Sequence, residues 1–132
     1  MDMPDGAAEV QAYWNRARIQ WEKNALTNAP IVVVAKVSLL AANESTQPAT
    51  VNQMSASLAP YKVLRGSIRS NAVGIIENHW CADFKVSVAD KGIYLLAIDG
   101  RRILMAAPLI KNQERAGVSA FFARVGEPDL WK

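Results

Sequence analysis

The segment Ile31–Ala42 reads IVVVAKVSLLAA, an isoleucine followed by three valines and then a run of small and aliphatic residues. β-branched side chains suit a pleated, half-buried surface better than a helix, so this stretch predicts a strand. At period two, Ile31, Val33, Ala35, Val37, Leu39 and Ala41 share one face with no polar interruption. The opposite face begins apolar at Val32 and Val34 and turns polar at Lys36 and Ser38. A strand buried on both sides at its start and on one side later fits the bent first strand of a small closed barrel.

What surrounds that strand is helix on one side and shorter strands on the other. Over residues 5–24, Val10, Trp14, Ala17 and Trp21 recur at helical spacing with Tyr13 beside them, while Glu9, Asn15, Arg16 and Lys23 take the other side. This predicts an N-terminal amphipathic helix capped by Asp5, its two tryptophans anchoring it on the body, with Ile19 the one apolar residue on its polar side. Glu9 adds negative charge near the helix start, where the dipole favours it. Pro30 ends the connection by forcing its predecessor out of the α region. Asn43–Thr50 is a polar loop containing the glycosylation triplet Asn43-Glu44-Ser45, a short motif that is common by chance.

Val51–Leu64 predicts a second strand with Met54, Ala56 and Leu58 inward. A bulge near Pro60 then shifts the phase, so that Tyr61 and Val63 become the expected packing pair. Further strands are expected over Val73–Cys81, Ile93–Ile98 and Ile103–Leu109, the last two joined by an Asp99-Gly100 hairpin. Residues 112–125 return to helical period through Val118, Phe121, Phe122 and Val125, with Gly126 as the cap. Leu130 and Trp131 in the tail are candidates to pack back on the body.

At 132 residues the chain suits one domain over 1–132, with 5–24 as N-terminal helix, 31–110 as barrel and 112–125 as C-terminal helix. Half its residues are hydrophobic and a fifth charged, which excludes global disorder. A net charge of +3 is too mild to imply nucleic acid by itself. No apolar run approaches the length of a membrane span, and MDMPDGAAEV lacks the basic leader and apolar core of a signal peptide. Cys81 is the single cysteine, which excludes an internal disulfide and a multi-cysteine metal site; a small buried hydrophobe is its expected role.

Helix, five strands, helix predicts a mainly β fold: a five-stranded OB-type Greek-key barrel with flanking helices. A β-sandwich is the runner-up, but it needs more strands than this chain has room for. The strand residues also resemble a family. Ile31-Val-Val-Val-Ala-Lys-Val37, Tyr61-Lys-Val-Leu-Arg-Gly66, Cys81 and Lys91-Gly-Ile-Tyr-Leu-Leu96 occur in the order and spacing of the netrin-like module. That module is the OB-fold of the tissue inhibitors of metalloproteinases and their bacterial relatives, and the likeness runs from Pro30 to Ile110. It implies a binding or inhibitory module whose partner is a protein, exported to a periplasm or cell surface with its leader removed. Inhibitory members place an N-terminal cysteine amine on the target's zinc and pin it with disulfides. This chain has no cysteine near its start, so that device is not carried over.

The candidate binding residues are Tyr61, Arg65, Arg69, His79 and Trp80, which would lie on or beside the face of the second and third strands, where OB barrels commonly take ligands. Lys62 joins Arg65 and Arg69 at one turn, and Arg101-Arg102 follow the last hairpin. A basic face with stacking groups is what single-stranded nucleic acid requires, which makes nucleic-acid or oligosaccharide binding the alternative function. It is disfavoured because aromatic residues are few on the predicted strands. Alternation places His79 and Cys81 on one strand face, but no second His/Cys cluster completes a metal site, and the carboxylates form no close acid–base pair. No cofactor motif and no catalytic residue is found, so a non-enzymatic role is expected.

Overall fold

The two faces of Ile31–Leu39 are buried in two different cores, and that double burial fixes the architecture. The computed structural model describes residues 3–40, 51–79 and 81–131. Its elements are α1 (Met3–Asn28), β1 (Ile31–Leu39), β2 (Val51–Arg65), β3 (Ala72–His79), β4 (Gly92–Asp99), β5 (Arg102–Leu109) and α2 (Glu114–Val125). The fold is mainly β. Five strands form a ring in the order β1-β2-β3-β5-β4, antiparallel at every neighbour except β3 and β5. That parallel seam is narrow, one residue pair (Ile75 with Arg102) and a 2.7 Å bond from the Ile75 amide to the Arg101 carbonyl.

Val33, Ala35 and Val37 face into the ring, against Ala56, Leu58, Ile76, Leu96, Ile98 and Ile103. Val32 and Val34 face outward and are covered by Leu26 beside α1's end and by Phe121, Phe122 and Val125 of α2. Polar character reaches the outer face at Lys36, where the helical cover ends, as the alternation predicts. Each fully buried valine or leucine contributes about 1.5–3 kcal/mol, and β1 makes that contribution in both layers. Ala41 and Ala42, the loop with its glycosylation triplet, and Trp80 lie outside the described residues.

The helices correct the expected pattern in part. α1 is 26 residues long, about 39 Å at 1.5 Å per residue, and only its last turns lie on the ring. Val10 and Tyr13 are both 57% exposed and Trp14 41%, so the first half of the apolar stripe is not core. Ile19, expected on the polar side, packs against the outer core together with Trp21 and Ala25. The spacing identifies a helix but carries no information about which stretch of it the sheet will cover. Asp5 lies inside the helix, which already runs from Met3, and so is not its cap. Buried Glu22 accepts from Arg124 Nη2 through both carboxylate oxygens at 3.3 Å, and Lys23 pairs with Glu127 at 3.6 Å, clasping α1 to α2. α2 ends as expected: Gly126 takes the left-handed conformation (φ 72°), its amide bonding Ala123 and that of Glu127 bonding Phe122. Leu130 and Trp131 do pack back onto the outer core.

Candidate functional site

Of the five residues expected to form one binding face, the four that are described, Tyr61, Arg65, Arg69 and His79, are dispersed by the fold. Two register shifts along the β1–β2 pair place Val33 opposite Val63 and Ala35 opposite Pro60, leaving Leu64 and Tyr61 as the extra residues of β2. The bulge near Pro60 is therefore present, but Tyr61 (52% exposed) and Val63 (38%) are not a packing pair. β3 pairs with β2 only as far as Leu58, so nothing in the sheet covers the strand beyond that point. Past the second shift Arg65 comes to lie opposite Val32, under the end of α1. There its Nη1 donates to the carbonyls of Leu26 (2.7 Å) and Ala29 (3.0 Å). A cation at a helix C-terminus satisfies orphan carbonyls and complements the dipole, so this guanidinium ties helix to sheet.

His79 is the last residue of β3. It lines a cavity of about 350 Å³ together with Trp21, Phe84 and Arg102, at the far end of the strand from Arg69. Cys81 is exposed, which corrects the reading of it as buried filler. The strand stops at His79, and the Ala82 amide bonds the His79 carbonyl in a turn, so strand alternation no longer governs where Cys81 points. Among the described residues no three His, Cys, Asp or Glu side chains come together as a metal site.

Arg69 lies instead on a groove of about 620 Å³ at the mouth of the ring. Its floor includes Ile31, Leu58 and Ile98, the ends of inward-facing rows. One wall is the loop between β2 and β3, carrying Arg69 and Ser70; the other is the β4–β5 hairpin, carrying Arg101. Local chemistry sets both walls. Gly66 opens the loop at φ 74°, where an added Cβ would run into the Pro30 carbonyl oxygen. Asn71 closes it at φ 62° with its amide on the Leu58 carbonyl (3.1 Å). Arg69 and Arg101 are exposed, neither has an ion-pair partner among the described residues, and no Asp or Glu lines the groove. Their shared groove was hidden in the sequence because Arg69 and Arg101 come to line it only through the non-sequential neighbours β3 and β5. The charge runs at 62–69 and 101–102 were its only trace.

Beside the groove, β2 from Ala59 to Arg65 has a sheet edge with no strand on its β3 side among the described residues. Pro60 and two bulges blunt that edge against strand addition, a common protection of exposed edges. The outward row of β2 and β3, alternating with the buried one, is Gln53, Ser55 and Ser57 opposite Glu77, Ile75 and Val73. It presents no aromatic ring on which a base could stack. Comparison with protein-family models, with characterised proteins and with solved structures finds no match to this chain.

Proposed function

We propose that this chain is a non-enzymatic, protein-binding module on an OB-type Greek-key barrel of netrin-like kind, exported in its natural setting. The ring order with its parallel β3–β5 closure supports the OB-type reading, as do the irregular second strand and the final hairpin. One observation carries the function: an apolar-floored groove of about 620 Å³ at the mouth of the ring, adjoining a bare strand edge with Tyr61 and Val63 exposed. Exposed Ser67, two residues past that edge, lines the groove, so the edge runs on into it. Val73, 44% exposed, adds an apolar contact on the same rim. A concave apolar patch with a few polar groups is what a recognition site needs.

A peptide-display selection against the folded chain tests this. Enriched peptides are expected to lose at least tenfold in affinity on Val73→Asp or Tyr61→Asp, two exposed positions where thermal unfolding should hardly change. Enrichment of no peptide, or of peptides indifferent to both substitutions, would remove the reading. Oligothymidylate titrated at low salt is the counter-test, since tight binding that weakens steeply with salt would favour the nucleic-acid alternative instead.

A further inference from the structure

We infer that the partner segment received by this groove carries an acidic side chain next to an aliphatic one, its carboxylate held between Arg69 and Arg101. This rests on the protein-binding reading above and adds the chemistry of the partner. Arg69 and Arg101 line the groove from opposite walls, one on the β2–β3 loop and one on the β4–β5 hairpin, and no Asp or Glu lines it to neutralise either. Arginine presents a planar fork of donors that matches a carboxylate, and the charge-assisted bonds formed are among the stronger ones available at a surface. Ser70 on the rim adds a hydroxyl donor. The apolar surface the groove offers beside them is aliphatic, from half-buried Ile31 and Ile68 and exposed Val73, so the neighbouring partner residue is an aliphatic one rather than a second charge.

Two further observations decide between occupants. Strand addition, in which main-chain bonds supply affinity for almost any sequence, is blunted by Pro60 and the bulges of β2, so recognition falls to side chains. A nucleic-acid strand offers phosphates, but it also needs a continuous cationic track and stacking faces. The outer β2–β3 row supplies serines, aliphatics and Glu77 in their place, which leaves Tyr61 on the adjoining edge as a single ring rather than a run of stacking faces. A carboxylate-bearing peptide uses both features of the groove, the cationic rim and the apolar floor.

The test is a titration of the ¹⁵N-labelled full chain, followed by amide chemical shifts, with four probes. These are the end-blocked peptide Gly-Ser-Leu-Glu-Leu-Glu-Ser-Gly, the same peptide with Gln in place of Glu, inorganic phosphate, and an oligothymidylate octamer. The acidic peptide is expected to shift amides of 67–74 and 100–101, and to bind about tenfold more tightly than its glutamine twin. The double variant Arg69→Ala with Arg101→Ala should remove that preference while keeping native chemical-shift dispersion; Arg101→Gln alone is the second variant if the double one does not fold. Equal binding of the two peptides overturns the carboxylate inference and leaves the groove a peptide site. Shifts from neither peptide also overturn it, and the display selection then judges the wider reading separately. A response to phosphate or the octamer without one to the acidic peptide overturns this inference and counts against protein binding as well.

Discussion

The two ends of the ring are finished in opposite ways. At the end where β3 stops, the β3–β4 connector is fastened into place. Val86 is buried in the inner core with Val88 against it, so the connector plugs the ring. The Asn78 side chain grips the Val86 main chain from both sides, its Nδ2 donating to the carbonyl (2.7 Å) and its Oδ1 accepting from the amide (3.0 Å). The Ala89 amide bonds the Tyr94 hydroxyl at 2.7 Å, and Asp90 Oδ1 accepts from the Leu39 amide at 2.9 Å. Phe84 sits against Trp14 and Trp21 of α1, with the Arg18 guanidinium 4.9 Å above its ring. At the other end, where β3 begins, two backbone bonds shape the β2–β3 loop, and Arg69 and Ser70 are left exposed over a groove. Ile68 of that loop does pack against the inner core, but no side-chain hydrogen bond among the described residues fastens 66–71 as Asn78, Asp90 and Tyr94 fasten the connector. The less fastened, open end is the one left to recognition, and substitutions at the two ends should differ in kind.

Asn78→Leu should have the largest effect. It removes two hydrogen bonds and strands an amide and a carbonyl of a buried residue, each worth about 1–3 kcal/mol when left unsatisfied. A loss of about 2–4 kcal/mol is expected in denaturant unfolding, with hydrogen exchange opening first in 81–91. A change below about 0.5 kcal/mol would mean that the connector is not a plug, and the contrast between the ends would collapse.

Phe84→Ala comes next. Full burial of a phenylalanine gives about 3–5 kcal/mol on truncation; this ring is partly exposed, so about 2 kcal/mol is expected. Its signature is local. Phe84 contacts the otherwise exposed stretch of α1, so limited proteolysis should begin within 6–18 in the variant and not in the parent. Cleavage at the same sites and rates in both proteins would show that this stretch is held by something else.

These contrasts also mark what was legible in the sequence. β1 was legible on both faces because strand alternation is local, and the burial of Val32 to Val37 follows it residue by residue. α2 was legible down to its glycine cap for the same reason. Tyr61 and Val63 misled because a bulge reveals a change of phase, whereas the lack of a neighbouring strand past Leu58 is a property of the whole sheet. The grip of Asn78 on Val86 bridges eight residues of irregular chain, and no periodicity announces it. Arg65 was legible as a cation at the turn after the second strand, but its two carbonyl partners belong to a segment 36 and 39 residues away.

That segment makes Arg65→Ala the third test, now at the open end. Hydrogen bonds from a charged donor are worth about 1.5–3 kcal/mol, and partial exposure here lowers the expectation to about 1–2 kcal/mol. Arg65→Lys should recover only part of it, because one ammonium lacks the fork that reaches both carbonyls. If Arg65→Ala leaves stability untouched yet abolishes binding of display-selected peptides, Arg65 belongs to recognition and its tie to the helix is incidental.

Cys81→Ser should have the smallest effect, and it is the sharpest check on where β3 gives way to the connector. The strand ends at His79, and the following turn leaves the thiol exposed, two residues from a well-packed sheet. Replacing sulfur by oxygen there removes no core contact, so the unfolding midpoint should move by less than about 0.5 kcal/mol equivalent. The native protein's thiol should also react with a disulfide reagent such as dithionitrobenzoate as fast as it does in denaturant, once the reagent's own response to denaturant is subtracted. A thiol reacting only at the rate of global unfolding would place Cys81 inside the sheet and extend β3 past His79. The plug would then begin later along the chain, and the fastening of this end would have to be assigned to fewer residues.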